Sequence, residues 1–485
     1  MPKANSVIIF LLYEKVLILM DQSVMLGQME VKKVLMKLAI PATIAMFANA
    51  LYNLVDTLFL AWGVGEIAIG ALTIVLPLQT LIFAIGLMIG IGSASVFSRA
   101  FGRGDTDTMK RAVNSALFFN GLLTTILTIV GLVFIDEILY MFGATAVNIA
   151  YAKDYMFYIV LSLIPFTSAI LLNNLARAEG RAKISMISLL IGAFANIILD
   201  PIFIFDWGFG MGVSGAAIAT LIAKSMMFVY VLRASLSKKS ALLIDRSSLY
   251  RLDFSILKET LLIGLPTFVR NGLVAFVVIA INHLINQYAP TQPGIYIAVF
   301  GVINRLIVFL LLPGFGLVQG MIPIVGFNYG AKKYSRLTQA VRYSTRLLTI
   351  YFIFIASLMY FFAEPLFMIF SRSNDPLFIS IGVDAFKIMP FGFLILSFQF
   401  IMSSTYQALG YPVKAFLIAL SRQLLIFLPV VYILTPIYGI MGIWLTFAIS
   451  DGLSGLISFF AYRYEIGVFK TYEDIDDIDL IPSQA

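Results

Sequence analysis

Asn196 and Asp200 stand four residues apart in a run that is otherwise apolar from Ile184 to Phe205. On a helix this spacing puts the amide and the carboxylate on one face. The run is long enough to cross a bilayer, which places the carboxylate at membrane depth. An ionisable group there is costly and by default marks a functional site. Pro201 follows at once and withholds a backbone donor, so a bend is expected beside the acid. A second acid, Asp56, ends a stripe formed with Asn49 and Asn53 on an earlier apolar run. If both runs point outward, Asp56 and Asp200 lie at nearly equal depth below the outer face. Thr220, on the run that follows, adds a hydroxyl. Two carboxylates among neutral oxygens suit a proton or another cation. The plainer alternative is two separate structural acids, each paired with a neighbouring Lys or Arg.

The elements that must hold these groups are apolar helices. Of 485 residues, 60% are hydrophobic and 12% charged, against about 25% charged in soluble domains. Such a chain is an all-α polytopic membrane protein, with the lipid bilayer as its surroundings. Twelve spans are expected, at 38–62, 67–97, 112–135, 155–176, 184–205, 211–232, 259–288, 294–326, 344–363, 378–407, 413–434 and 439–462. Alternate loops hold 17 Lys or Arg, and the opposite set holds Lys153 and Arg372. By the positive-inside rule both termini are cytoplasmic. The net charge of +7 fits an anionic inner leaflet better than nucleic acid.

The chain also repeats itself. Phe101-Gly-Arg-Gly104 matches Phe327-Asn-Tyr-Gly330 at an offset of 226, Pro41 matches Pro266 at 225, and Gly212 matches Gly439 at 227. Six spans per half give two lobes of equal topology, related by an axis along the membrane normal. The division is an N-terminal cytoplasmic segment 1–37, an N-lobe 38–232, a basic linker 233–258, a C-lobe 259–462 and an acidic tail 463–485. The apolar stretch from Ile8 to Met20 is too short to span. It is either an amphipathic lead-in, or translation begins at Met25 or Met29. Pro41 is expected to let the first span bend.

Several chemistries have no support. No P-loop, HExxH or GxSxG pattern occurs, cysteine is absent and His283 is the single histidine. The chain is therefore not expected to be an enzyme or to carry a cofactor. In the second half, Asp384 and Lys387 are expected to form a helical ion pair. Asp451 is expected to pair with Arg305 or Lys224. Arg270 and Asn271 lie deep enough to need a partner or a wet cavity. Arg270, Asp384 and Asp451 are read as structure or as cavity polarity. The tail from Glu473 to Asp479 reads as a solvated end.

Five motifs in order carry a family resemblance. They are Tyr52-Asn-Leu-Val-Asp56-Thr, Ser98-Arg-Ala-Phe-Gly-Arg-Gly104, Ala176-Arg-Ala-x-Gly180, Asn196-Ile-Ile-Leu-Asp200-Pro201 and Gly212-x-x-Gly-Ala-Ala-Ile-Ala-Thr220. Over about residues 34–465 the chain resembles the multidrug and toxic compound extrusion (MATE) transporters, and most of all their DinF-type branch. The resemblance implies two six-helix lobes in a V around a central cavity. It implies antiport of amphipathic, often cationic organic compounds against H+ or Na+. Carried over from the branch, the N-lobe cation site is Asp56, Asn196, Asp200 and Thr220. A different branch places a glutamate on the seventh span; here that helix has no acid from Phe268 to Ile281. The chain is expected to be a monomer in the plasma membrane. The competing expectations are a lipid-linked oligosaccharide flippase, for which Arg270, Arg305 and Arg422 could form a basic cavity, and a channel.

Overall fold

The structure, a computed structural model, describes residues 19–64, 66–144, 149–242, 244, 252–290, 292–371 and 375–474. A short helix α1 covers 19–27. The first half continues with α2 (Val31–Gly63), α3 (Glu66–Arg103), α4 (Thr106–Val133), α5 (Ile135–Met141), α6 (Ile149–Leu161), α7 (Leu163–Ala178), α8 (Ala182–Ile204) and α9 (Gly212–Ser235). The second half holds α10 (Phe254–Tyr288), α11 (Pro293–Gly330), α12 (Tyr334–Phe361), α13 (Ala363–Phe370), α14 (Pro376–Ile388), α15 (Phe393–Leu409), α16 (Pro412–Leu420), α17 (Leu428–Tyr438) and α18 (Ile440–Lys470). A 3-10 turn, Met389–Gly392, joins α14 to α15, and a π-helical segment, Ser421–Phe427, joins α16 to α17. No strand occurs among the described residues. Eleven of these stretches are long and apolar enough to cross a membrane, and the pair α6 and α7, bent by 46°, makes a twelfth.

Local sequence explains where the helices start and stop. Asp105 caps α4 by accepting from the Thr108 N–H at 2.9 Å. Asp253 caps α10 by accepting from Ser255 and Ile256. Such caps satisfy donors that a helix start leaves unpaired. Gly104 turns the chain between α3 and α4 at φ 72°, a conformation that glycine adopts without strain. Proline does not interrupt the hydrogen-bonded helix at either of two sites: α2 runs on through Pro41 and α8 through Pro201. The fourth span breaks at Ser162, ahead of Pro165.

The two lobes approach closely at the end that carries the linker. A Cβ at Gly92 on α3 would lie 1.9 Å from the Thr260 carbonyl oxygen on α10. One at Gly264 would lie 1.9 Å from that of Met88. The same device joins α11 to α2, with Gly316 against Thr43 and Gly320 against Ala39. Glycine lets two helix backbones touch where any side chain would hold them apart. The repeat motifs meet face to face, the rings of Phe101 and Phe327 crossing edge-on at 5.2 Å. Polar contacts reinforce this end: Arg99 with Glu259 at 2.8 Å, Arg111 with Asp253 at 2.9 Å, and the Ser95 hydroxyl on the Gln407 carbonyl at 2.5 Å. Gathered at one end, these contacts leave a V that opens toward the other.

Residues 19–27 lie across both lobes. Met25 reaches Gly180 of the first half, and Gly27 sits against the Phe327 ring of the second. The Leu26 carbonyl accepts from Asn328 at 3.1 Å, and Arg336 donates to the Met29 carbonyl at 2.6 Å. The start of the linker is pinned as well. Glu179 is fully buried and accepts from the Ala241 N–H at 2.6 Å, the Ser240 hydroxyl at 3.0 Å and Arg181 at 2.9 Å. Burial pushes the Glu179 carboxyl up from its ordinary range, against the pull of Arg181 and these donors. The tail beyond residue 474 lies outside the described residues.

Candidate functional site

The stripe on α2, the Asn196/Asp200 face of α8 and Thr220 of α9 converge inside the N-lobe. Asp56, Asn196, Asp200 and Thr220 are 9%, 2%, 0% and 6% exposed, so water hardly reaches the four groups. The Asn196 amide donates to Asp200 Oδ1 at 2.9 Å and to Thr220 Oγ1 at 3.3 Å. Asp56 and Asp200 lie close enough to interact electrostatically. Two bare carboxylates that close repel, and a proton or another cation relieves the repulsion.

Three oxygens here are buried without any hydrogen-bond donor: Asp56 Oδ1, Asp200 Oδ2 and Asn196 Oδ1. Buried acceptors are normally satisfied, and an orphaned one costs about 1–3 kcal/mol. Orphaned oxygens on three side chains at one site form a donor set for a small cation. A cavity of about 30 Å³ adjoins Asn196, lined also by Asn49, Tyr52, Thr220 and Lys224 among others. It is large enough for a single water. No group of three or more acidic, His or Cys side chains gathers among the described residues, so a multivalent metal centre has no support there.

Three neighbours were not visible in the helix pattern. Lys224 on α9 lies 4.2 Å from the Phe166 ring centre, 3.5 Å from the Ser162 hydroxyl and within electrostatic reach of Asp56. Tyr155 on α6 accepts from the Gln79 amide at 3.0 Å and senses the charge of both acids. Asn49 belongs to the cavity wall as the stripe suggests; the side chain of Asn53 lies outside the described residues.

The second half departs from expectation. Asp451 pairs with neither Arg305 nor Lys224 but with Arg422, whose Nε and Nη2 donate to its two oxygens at 2.5 and 3.2 Å. Arg422 sits in the π-helical segment, where the wider turn shifts side chains off the α-helical register. Asp384 and Lys387 are both exposed and form no ion pair among the described residues. Of the expected cavity residues Asp451 is buried and Arg270, on α10, is half-buried. Arg305 and His283 are exposed.

Comparison with known proteins fits this geometry. The MatE family profile matches residues 41–202 and 266–433, one stretch in each lobe. The multidrug export protein MepA of Staphylococcus aureus (strain MRSA252) is 26% identical over 428 residues, covering 87% of this chain and 92% of its own. A solved ligand complex of the MATE multidrug transporter DinF-BH is 36% identical, with a TM-score of 0.83 over 92% of this chain and 98% of that one. An outward-facing MATE family transporter of the MOP superfamily, 23% identical, shares the fold at a TM-score of 0.85 over 93% of this chain and 98% of that one. With a family match in both lobes and the paired six-helix architecture behind it, this chain belongs to the MatE family of transporters.

Proposed function

We propose that the chain exports amphiphilic organic compounds across the plasma membrane, driven by a cation that enters at Asp56 and Asp200. The multidrug relatives support the substrate class. The observation that carries the coupling is the cluster of orphaned oxygens on Asp56, Asp200 and Asn196, next to a cavity the size of one water. Two neighbouring buried carboxyls hold one proton readily, and Na+ is the alternative occupant of the same oxygens. In either case the cation removes the repulsion between α2 and α8. Its departure restores that repulsion and, with Lys224 beside Asp56, rebalances the packing of α2, α8 and α9. The positive-inside rule puts the linker end in the cytoplasm, so this conformation opens outward. The division into two lobes joined by the linker 233–258 belongs to the same reading.

Dye efflux from proteoliposomes under an imposed pH gradient, and separately a Na+ gradient, tests the reading. Asp200→Asn and Asp56→Asn should each abolish ion-driven efflux while dye binding persists. The double variant should be little worse than either, because the pair acts as one unit. Asp384→Asn, an exposed acid, should transport normally. If Asp200→Asn still concentrates dye against its gradient, the coupling site lies elsewhere. Counterflow of labelled against unlabelled dye separates an exchanger from a channel, which only dissipates gradients.

A further inference from the structure

Arg177 stands in the last turn of α7, 6% exposed, and has no acidic partner among the described residues. Its Nη1 donates to the Ser185 hydroxyl at 2.5 Å and its Nη2 to Asn174 Oδ1 at 2.8 Å. A guanidinium carries five N–H groups, so three remain without a partner among the described residues. Neighbouring groups are already committed. The last carbonyls of α7, on Leu175, Ala176 and Arg177, accept from the N–H groups of Glu179, Arg181 and Gly180. The Glu179 carboxylate is taken by Arg181, Ser240 and Ala241. A buried charge with no counter-charge is costly.

Arg177 and Asn174 line a cavity of about 10 Å³, which is closed by Ile91 and Ala94 of α3 and by Gln319 of α11 among others. It has room for one particle of about the size of a water. Gln319 is half-buried, and its amide makes no hydrogen bond among the described residues. The Asn174 amide donates to the Ile170 carbonyl at 2.8 Å and keeps a second hydrogen. Spare donors therefore reach this cavity from both lobes, and the rest of the wall is apolar. The cavity lies in the seam between the lobes. Ile91 and Ala94 flank Gly92, which meets Thr260, and Gln319 precedes Gly320, which meets Ala39.

We infer that this cavity binds a monatomic anion such as chloride, which neutralises Arg177 and bridges it to Gln319. A water would satisfy the same N–H groups but leave the charge unpaired, whereas an anion does both. The two ligands sit on opposite lobes and face one cavity only while the lobes are closed at this end. Parting the lobes separates them and releases the anion. Binding therefore favours the closed seam over the open one.

Thermal unfolding of the purified protein in detergent is followed while sodium chloride replaces sodium gluconate at constant ionic strength. Gluconate is too large for the cavity. The unfolding midpoint should rise with chloride and saturate. Gln319→Leu removes one ligand and should raise the half-saturating chloride concentration about tenfold or more. Arg177→Gln should abolish the response. Retained dye binding shows that each variant is folded; if Arg177→Gln does not bind dye, Gln319→Leu alone decides. Crystals grown in sodium bromide locate the ion, because bromide scatters anomalously, and a peak between Arg177 and Gln319 is expected. A midpoint that ignores chloride leaves the cavity to water and overturns the inference, any bromide peak then marking an adventitious ion only. A response unchanged in Gln319→Leu, or one without a bromide peak at Arg177, places the ion elsewhere and overturns it as well.

Discussion

Gly92→Ala tests how the linker end is held shut. The added Cβ would lie 1.9 Å from the Thr260 carbonyl oxygen, whereas carbon and oxygen rest at about 3.3 Å or more. The obstacle is backbone on both sides, so no rotamer change relieves it. Helices α3 and α10 must separate by roughly 1.4 Å, the gap between 1.9 Å and that contact distance. Overpacking of this kind costs about 1–3 kcal/mol. Because the contact exists only when the lobes are closed at this end, the cost falls on that state alone. The ratio of closed to open should drop by roughly 5- to 150-fold, at tenfold per 1.4 kcal/mol. The chain contains no cysteine, so spin labels can be placed at Lys110→Cys on α4 and Lys258→Cys on α10, both exposed. Pulsed electron-spin distance measurements should give a short, narrow distribution in the parent and a longer one in Gly92→Ala. Gly264→Ala attacks the same helix pair from the other side and should add little on top. A distribution unchanged in both alanine variants, in protein that still binds dye, would refute the idea that these glycines set the closed state.

Other consequences can be measured directly. Asp451→Asn leaves the partly exposed Arg422 without its counter-ion and should lower stability by less than the about 3–5 kcal/mol of a fully buried pair, whereas Arg422→Met with Asp451→Leu should come close to the parent; thermal unfolding in detergent compares them. Glu179→Ala frees Ser240 and Ala241, so trypsin should cleave after Lys238 and Lys239 faster; equal cleavage rates would mean that the linker is held by other contacts. The Ile256 N–H, with Arg111, holds the Asp253 carboxyl below the usual range. A lowered folded value means that its stabilisation is complete above the ordinary Asp value of about 4 and is lost as pH falls through the folded one. The Lys110–Lys258 label distance should therefore be flat from about pH 5 to 8, and Asp253→Ala should loosen the start of α10 by about 0.5–2 kcal/mol.

The clustering of the N-lobe polar residues was legible because its logic is helical. Spacings of four and seven put Asn49, Asp56, Asn196 and Asp200 on faces, and an acid at membrane depth needs a reason. Lys224 was hidden for a different cause: a lone lysine on a span carries no pattern that names its neighbour. Tyr155 and Gln79 are neutral and draw no notice in sequence. Arg422 was missed as the partner of Asp451 because a π-helical insertion changes the register, which α-helical counting cannot follow. Asp384 looked buried because its surroundings are apolar, but on α14 it faces outward, and lipid-facing and core residues are equally hydrophobic in sequence. The glycine contacts between α3 and α10 are non-local and leave no mark on a single helix.

The edge-on meeting of Phe101 and Phe327 is an isologous contact made within one chain. The same motif, taken from each half, faces its own copy across the axis, as in a twofold homodimer. Two separate identical subunits would be bound by that symmetry to present identical walls to the cavity between them. An acidic pair on one side would demand an acidic pair on the other. Joining the halves through a covalent linker lifts the constraint while keeping the self-complementary hinge. Each wall is then free to diverge, and here one holds the two acids Asp56 and Asp200 while the other holds the Arg422–Asp451 ion pair.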